Sequence, residues 1–426
     1  MGEGHQRSQH YLELTRAQKT MNAPLAGLRI VEVSAFIAAP LGGMTLAQLG
    51  AEVIRIDPLG GNIDYNRWPL APNGNSIYWA SLNKGKKSVT LALDTAEGQD
   101  IARAIMCAPG ADAGIVLTNL PAKGWMSYEA LSQHRSDLIM MRLIGNFDGS
   151  GAMDYTVNCA SGFPIVTGQN REPINHVLPA WDVSAGLYLS IGLLAAERAR
   201  RLEGKGQEVV LALSDVMLAT VANLGYVADV QINGSSREPI GNDLYGAYGR
   251  NFKTADKREV MVVAISDRQW NAIGKATGLT QKLEMIGPLM DIDLASEGGR
   301  FAARHAIAAV LEPWFAARTL AQIKDALDGS GVLWGVYQDF KQLVEEDPRC
   351  SVANPLFGEV DQPGIGRVLS ARGPLAFNRN AVPPPSAAPL LGADTVSVLK
   401  EVIGLSPADI LRLREQRVIS EPGAPA

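Results

Sequence analysis

Along the first half of the chain, short apolar runs alternate with stretches at helical spacing. Residues 28–33 are rich in branched side chains, follow a Pro/Gly turn and predict a strand. Residues 35–50 follow with Met44, Leu46 and Leu49 at helix-compatible positions. Residues 51–57 form a second apolar strand, ended by Pro58-Leu59-Gly60-Gly61. Strand, helix and strand in this order make a βαβ unit, which implies a parallel sheet with a right-handed crossover. The alternation continues with a strand over 88–93, a helix over 97–106, and strands over 113–117 and 138–144. The expected fold is α/β, with a large doubly wound, Rossmann-like domain.

Further on, Leu187 to Ala196 form a long apolar run of helical composition. Glu203-Gly204-Lys205-Gly206-Gln207 then reads as a turn feeding a strand over 208–213 and a helix over 214–225. The character changes near Ile232-Asn233-Gly234. A β-rich piece at 259–265 precedes helices near 267–277 and 301–318, which suggests a smaller α+β domain. The Pro/Ala stretch over 382–389 suits an extended connection, and a helix near 394–403 follows. The expected organisation is an extension without fixed structure (1–23), the first part of the large domain (24–232), the small domain (233–339), and a C-terminal part returning to the large domain (340–426).

Composition narrows the function. With 426 residues, 46% of them hydrophobic, the chain can bury a large core. A formal net charge of −5 argues against a general nucleic-acid-binding role, yet leaves room for one anionic ligand gripped by a local cluster. Cys107, Cys159 and Cys350 lie far apart without a CxxC, and the five histidines are scattered, so no metal site is expected. Such cysteines suit a reducing cytoplasm. No run of eighteen apolar residues occurs, so no membrane span is expected. Residues 1–20 are polar and lack a signal-peptide core; they read as an extension, or as residues ahead of a true start at Met21.

Chemistry centres on Pro179-Ala180-Trp181-Asp182, directly before the long apolar helix. Near a helix N-terminus the unpaired N–H groups and the dipole favour an ionised carboxylate, a usable nucleophile. The alternative is that Asp182 merely caps the helix. The first strand is not followed by GxGxxG, and neither a Walker motif nor GxSxG occurs, which weakens dehydrogenase, NTPase and serine-hydrolase readings. Asn83-Lys84-Gly85-Lys86-Lys87-Ser88 is the dense basic cluster and reads as a phosphate grip or a solvated turn. Arg171, Asn175 and His176 lie close before Asp182 in sequence, and residues 245–250 read as a glycine-hinged flap or an ordinary loop.

Taken in order, these pieces resemble the class III (CaiB/BaiF-type) CoA-transferases from Pro24 to about Arg414. The resemblance rests on Pro24-Leu25-Ala26-Gly27-Leu28-Arg29-Ile30-Val31-Glu32, on Leu49-Gly50-Ala51-Glu52-Val53-Ile54-Arg55-Ile56-Asp57-Pro58, on the lysine cluster, on Gly204-Lys205-Gly206-Gln207, and on Pro389-Leu390-Leu391-Gly392. It implies Asp182 as the catalytic nucleophile and CoA contacts from Phe36, Ile37, Ala38, Leu91, Asn119 and Leu120. An Arg common after the second strand is Pro58 here, so the phosphates are expected to fall to Arg55, Lys84, Lys86 or Lys87. Racemases of the same superfamily add a His and a Glu; Met153 and Lys253 stand at those places.

The runs over 38–50 and 175–182 are similar to members that move CoA between the two carboxyl groups of one mesaconate molecule. The implied reaction is intramolecular, through an aspartyl anhydride and an aspartyl-CoA thioester. Amides around Gly186 or over 36–38 would serve as oxyanion donors, and Arg171, Asn175, His176, Tyr245 and Gly246 would bind the acyl part. CoA enters as part of the substrate, with no permanently bound cofactor and no metal. An interlocked homodimer is implied, with an acyl-CoA as partner and no nucleic acid or membrane. The alternatives are transfer between molecules, from succinyl-CoA or a similar donor to a small dicarboxylic acid, and a catalytically silent CoA-ester-binding module.

Overall fold

The structure, a computed structural model, describes residues 22–168, 172–420 and 422. They form two compact units. The larger holds the described residues up to Ser161, then Val177–Ile232 and those from Pro348 onward; the smaller holds Gly162–His176 and Asn233–Asp347. Residues 162–176, expected in the large domain, thus belong to the smaller unit, which also runs past 339.

The larger unit is built on a six-stranded sheet of β1 (Arg29–Val33), β2 (Glu52–Pro58), β3 (Lys87–Leu91), β4 (Ile115–Thr118), β5 (Ile139–Ile144) and β6 (Gln207–Ala212). Every pairing is parallel, in the order β3-β2-β1-β4-β5-β6. This is the doubly wound order, whose switch point lies between β1 and β4 and whose ligand crevice opens at the carboxyl ends of the strands. The central strands β1, β2 and β4 are almost wholly buried, as in parallel sheets covered on both faces, and carry Glu32, Arg55 and Asp57 among their apolar residues; edge strand β6 is mostly half-buried or exposed. One side of the core joins Val31, Ile54, Val89 and Val116 to Val398, Leu399, Ile410 and Leu413, so the C-terminal segment packs on the N-terminal sheet. An antiparallel hairpin, β10 (Phe357–Gln362) with β11 (Gly366–Ala371), completes this unit.

Two helices frame the switch point: α1 (Ala38–Gln48) after β1, and the 24-residue α4 (Ala180–Glu203). Two short ones, α2 (Ile77–Leu82) and α3 (Asp154–Ala160), lie between them in sequence. Glycines let α1 and α4 touch backbone to backbone. A Cβ on Gly186 would stand 2.7 Å from the Ala38 carbonyl, and one on Gly42 2.9 Å from the Gly186 carbonyl. Two glycines inside α1 cost helix propensity of about 1 kcal/mol each; the close crossing explains Gly42, and Gly43 leaves room for the buried Glu32 carboxylate, which a Cβ there would strike. Trp181, Ala185, Gly186, Leu189, Leu193 and Ala196 form the buried stripe of α4, and Leu187, Tyr188 and Ile191 are exposed on its other side.

The smaller unit is α+β. Its antiparallel sheet has the order β7-β8-β9, from Tyr248–Lys253, Glu259–Ala264 and Leu333–Val336. The expected helix over 301–318 is two, Glu297–Ala302 and Arg304–Ala316, parted at Ala303. Among the described residues no single helix is long and apolar enough to cross a membrane. The bent pair Leu213–Asn223 and Tyr226–Asn233, at 57°, has the length and composition.

Candidate active site

Asp182 is the third residue of α4, in its first turn. The residue before the helix is Pro179, whose side chain makes no capping bond. Asp154, the first residue of α3, caps α4 instead. Its Oδ2 accepts the N–H of Trp181 at 2.7 Å and of Asp182 at 3.0 Å. The Trp181 indole N–H is donated to buried Asn158 Oδ1 at 3.1 Å. The capping role open to Asp182 is therefore filled by another carboxylate, and its own side chain is left for chemistry.

The expectation that the helix start would favour the ionised form of Asp182 is corrected here. The two amides that would do so are spent on Asp154. Burial first, and the Asp154 charge second, push the Asp182 carboxyl up to about 7. At neutral pH it is partly ionised and poorly solvated, which makes it a stronger nucleophile than a surface carboxylate.

The expected residues at the strand ends cluster at the switch point. Asn119, following β4, clamps the turn after β1: its Oδ1 accepts the Ala35 N–H at 3.0 Å and its Nδ2 donates to the Ala35 carbonyl at 2.7 Å. Phe36 takes a left-handed φ of 65°, costly for a bulky residue, and donates its N–H to Asp64 Oδ2 at 3.0 Å. This turn delays the helix from residue 35 to Ala38. Phe36 is thereby removed as an oxyanion donor, and Gly186 is excluded as well because it lies inside α4. Ile37 and Ala38 remain: α1 has no side-chain cap, and neither amide has a hydrogen-bond partner among the described residues. The Ala38 carbonyl meets Gly186 one helical turn past Asp182, about 6 Å along α4.

Leu91 is wholly buried in the sheet core and presents no side chain to a ligand. Leu120 is half-buried against the same core.

The basic residues divide sharply. Arg55, 1% exposed, holds Asp57 through two bonds of 2.8 and 3.0 Å, and also reaches Asp64, Asn83 and the Ser34 carbonyl. Burial alone would lower its pKa, but Asp57, Asp64 and Glu32 outweigh burial and hold it above the usual range. Lys86 donates to Glu32, the Pro40 carbonyl and Asn83 within 2.9 Å, and burial pulls it down to about 8. Both are buried and paired with carboxylates, and neither reaches the surface to meet a phosphate. They brace the β1 turn from inside, contrary to the expectation.

Lys87 pairs with Glu52 at 2.7 Å and Glu401 at 3.6 Å, at the amino edge of the sheet. Half-buried Lys84 makes, among the described residues, a single 3.5 Å contact, to the Ala371 carbonyl, and no ion pair.

Arg171 lies outside the described residues. Asn175, His176, Tyr245 and Gly246 belong to the smaller unit. Asn175 and His176 are exposed there. Tyr245 packs between Arg237, 3.9 Å from its ring centroid, and Phe301 at 5.2 Å. The expected flap over 245–250 is shorter than that: Ala247 and Tyr248 are buried, and a turn closed by Leu244 N–H to Gly249 O leaves Tyr245 and Gly246 as its tip. A cavity of about 830 Å³ in the smaller unit is lined by Asp267, Trp270, Glu284, Asp291 and Arg300, none of them an expected site residue.

Sequence reasoning missed Asp154 as a cap, Asp64, and Tyr78. The Tyr78 hydroxyl is buried without a partner among the described residues, and burial pushes it up to about 12, with Arg67 pulling down and Asp64 and Asp182 pushing further up. Pro179, which cannot cap α4 with its side chain, was the available hint that another residue must. No group of His, Cys, Asp and Glu among the described residues could hold a metal ion.

A doubly wound sheet with an uncommitted aspartate beside a glycine-mediated helix crossing defines the class, and the chain belongs to CoA-transferase family III, whose model matches residues 25–395. It is 50% identical over 407 residues, 94% of this chain and 99% of the relative, to 2-methylfumaryl-CoA isomerase of Chloroflexus aurantiacus. Succinyl-CoA:mesaconate CoA-transferase of Haloarcula marismortui is 26% identical over 88% of this chain and 96% of its own. A CaiB/BaiF family protein from Brucella suis has the same fold, with a TM-score of 0.74, 24% identity, and coverage of 89% of this chain and 100% of that one. Met153 and Lys253, at the places where racemases are expected to carry a His and a Glu, are both exposed.

Proposed function

We propose that this protein is an intramolecular CoA-transferase that interconverts 2-methylfumaryl-CoA and 3-methylfumaryl-CoA, the two mono-thioesters of mesaconate. One observation carries the reading: Asp182, relieved of capping by Asp154, stands in a chain half-identical to 2-methylfumaryl-CoA isomerase over nearly its full length.

The ionised Asp182 attacks the thioester carbonyl. The tetrahedral oxyanion, met by the Ile37 and Ala38 amides, collapses and expels CoA thiolate, leaving a mixed anhydride. The thiolate attacks the aspartyl carbonyl and releases the mesaconate carboxylate, so CoA rests on Asp182 as a thioester. The other carboxylate of the same mesaconate attacks that thioester and expels the thiolate again. Thiolate attack on the mesaconyl carbonyl of the new anhydride gives the isomeric product and restores Asp182. No proton is gained or lost, and a carboxylate is exchanged for a carboxylate, so no step requires an energy source. Water would hydrolyse either anhydride, so the reaction must run in a dry pocket.

Phe36, Ile37, Ala38, Asn119 and Leu120 are assigned to the CoA side, with Lys84 for a phosphate. Arg171, Asn175, His176, Tyr245 and Gly246 are assigned to the acyl side. CoA is substrate, and no resident cofactor or metal is needed by this chemistry. The protein acts as a cytoplasmic homodimer of interlocked chains, in keeping with the free Cys107, Cys159 and Cys350 and with the exposed Leu187, Tyr188, Ile191, Leu218, Val227 and Val230, which a partner chain would cover.

The test is direct. Purified protein given 2-methylfumaryl-CoA alone should form 3-methylfumaryl-CoA, and labelled free mesaconate should not enter the product. A requirement for a second acid would favour transfer between molecules.

A further inference from the structure

An intramolecular transferase faces a problem that an intermolecular one does not. Midway, mesaconate is a free dianion, and it must turn end for end before it leaves. Something must hold whichever carboxylate is not reacting.

Arg67 has the properties of such a holder. It lies on the loop between β2 and α2, with its backbone fixed by bonds to Asp64 and Ser76. Its guanidinium lies over two rings, 5.5 Å from the centroid of Phe36 and 5.4 Å from that of Tyr78. Phe36 opens the turn that presents the Ile37 and Ala38 amides. The Tyr78 hydroxyl is near enough to both Arg67 and Asp182 to feel their charges, and is buried without a hydrogen-bond partner among the described residues. No carboxylate pairs with Arg67 among the described residues, whereas Arg55 close by is saturated with them. The two rings flank an exposed guanidinium whose N–H groups make no hydrogen bond or ion pair among the described residues. That is the arrangement for taking a carboxylate through two parallel hydrogen bonds.

We propose that Arg67 holds the unreacted carboxylate of the substrate, and so retains the released dicarboxylate while it reorients. The proposal rests on the intramolecular reading above. Because the two carboxylates exchange roles halfway, one cation serves both halves of the reaction. The ligand class is a short dicarboxylate carried as its mono-CoA thioester; a monocarboxylic acyl-CoA has nothing for Arg67 to grip.

The experiment compares the unaltered protein with Arg67→Gln and Arg67→Lys, each first shown to melt at an unchanged temperature. Each receives 2-methylfumaryl-CoA with ¹³C-labelled free mesaconate, and separately crotonyl-CoA, which lacks the second carboxylate. In Arg67→Gln, isomerisation should fall by about 10–100-fold, the loss of one charge-assisted pair. Free mesaconate should accumulate and label should enter the product. Arg67→Lys, keeping the charge without the planar fork, should recover part of the rate. CoA transfer from crotonyl-CoA to Asp182, read by intact mass, should be alike in all three proteins. An unchanged isomerisation rate without label entry in Arg67→Gln overturns the proposal, as does an equal loss with crotonyl-CoA. Label entry with the unaltered protein overturns the intramolecular reading itself, and the proposal with it.

Discussion

Asp154 Oδ2 accepts the backbone N–H of Asp182 at 3.0 Å, so the Asp154 carboxylate caps the helix and the Asp182 side chain does not have to. In the proposed mechanism the pair also tunes Asp182, because the Asp154 charge adds to burial in pushing its carboxyl up to about 7.

Asp154→Asn tests that coupling. The amide oxygen can still accept the two helix N–H groups, but the like charge is gone. The attacking form of Asp182 is ionised, so kcat/KM should rise with pH through about 7 in the unaltered protein. In the variant this acid limb should move down, by up to about one pH unit. A pH–rate profile checks it; an unmoved limb would mean that burial alone sets the value.

Stability should vary with pH in the opposite sense from activity. The unfolded carboxyl titrates near 3.8 and the folded one near 7, so between those values the folded state binds more protons. Stability attributable to Asp182 therefore falls as pH rises through that window. Asp182→Asn, inactive as an enzyme, should be more stable than the unaltered protein by about 1–2 kcal/mol at pH 8, the figure being reduced for partial solvent screening. At pH 4 the two should melt alike. Denaturant melts at the two pH values measure the difference.

The helix crossing should tolerate no side chain. In Gly186→Ala the new Cβ would stand 2.7 Å from the Ala38 carbonyl, and backbone cannot move aside cheaply. A loss of about 1–3 kcal/mol is expected, with a fall in kcat as α1 and Asp182 part. Gly192→Ala on the same helix presses on the flexible end of Met141 at 3.0 Å, with Val209 in ordinary contact at 3.9 Å, and should cost far less. Equal melting temperatures for the two variants would contradict the packing argument.

Two neighbouring lysines should behave differently. Lys86→Met strands the buried Glu32 and should destabilise by about 3–5 kcal/mol. Lys84→Ala should leave the melting temperature unchanged and raise KM for the CoA ester. Thermal melts and steady-state kinetics separate these outcomes.

The sheet was readable because branched runs such as Ile30-Val31 and Val53-Ile54 stand between glycine breaks, and the end of α4 because Gly204 follows Glu203 with a φ of 71°. The proposed role of Asp182 comes from the family resemblance, since position alone leaves a helix cap open, and the structure puts Asp182 inside the first turn of α4 rather than before it. The start of α1 was not readable, since a left-handed Phe36 carries no glycine to mark it. Asp154 reaches across 27 residues to cap α4, a tertiary fact with no local pattern. Arg55 and Lys86 misled for a related reason: sequence displays charge, and only the fold reveals that both point inward against Glu32, Asp57 and Asp64.

All of the chemistry requires a CoA thioester on one side chain during turnover. Mass spectrometry of protein quenched while converting 2-methylfumaryl-CoA and then digested addresses this directly. The peptide containing Asp182 should carry the mass of CoA; continued turnover with CoA absent from that peptide, or bound to a different residue, would contradict the account.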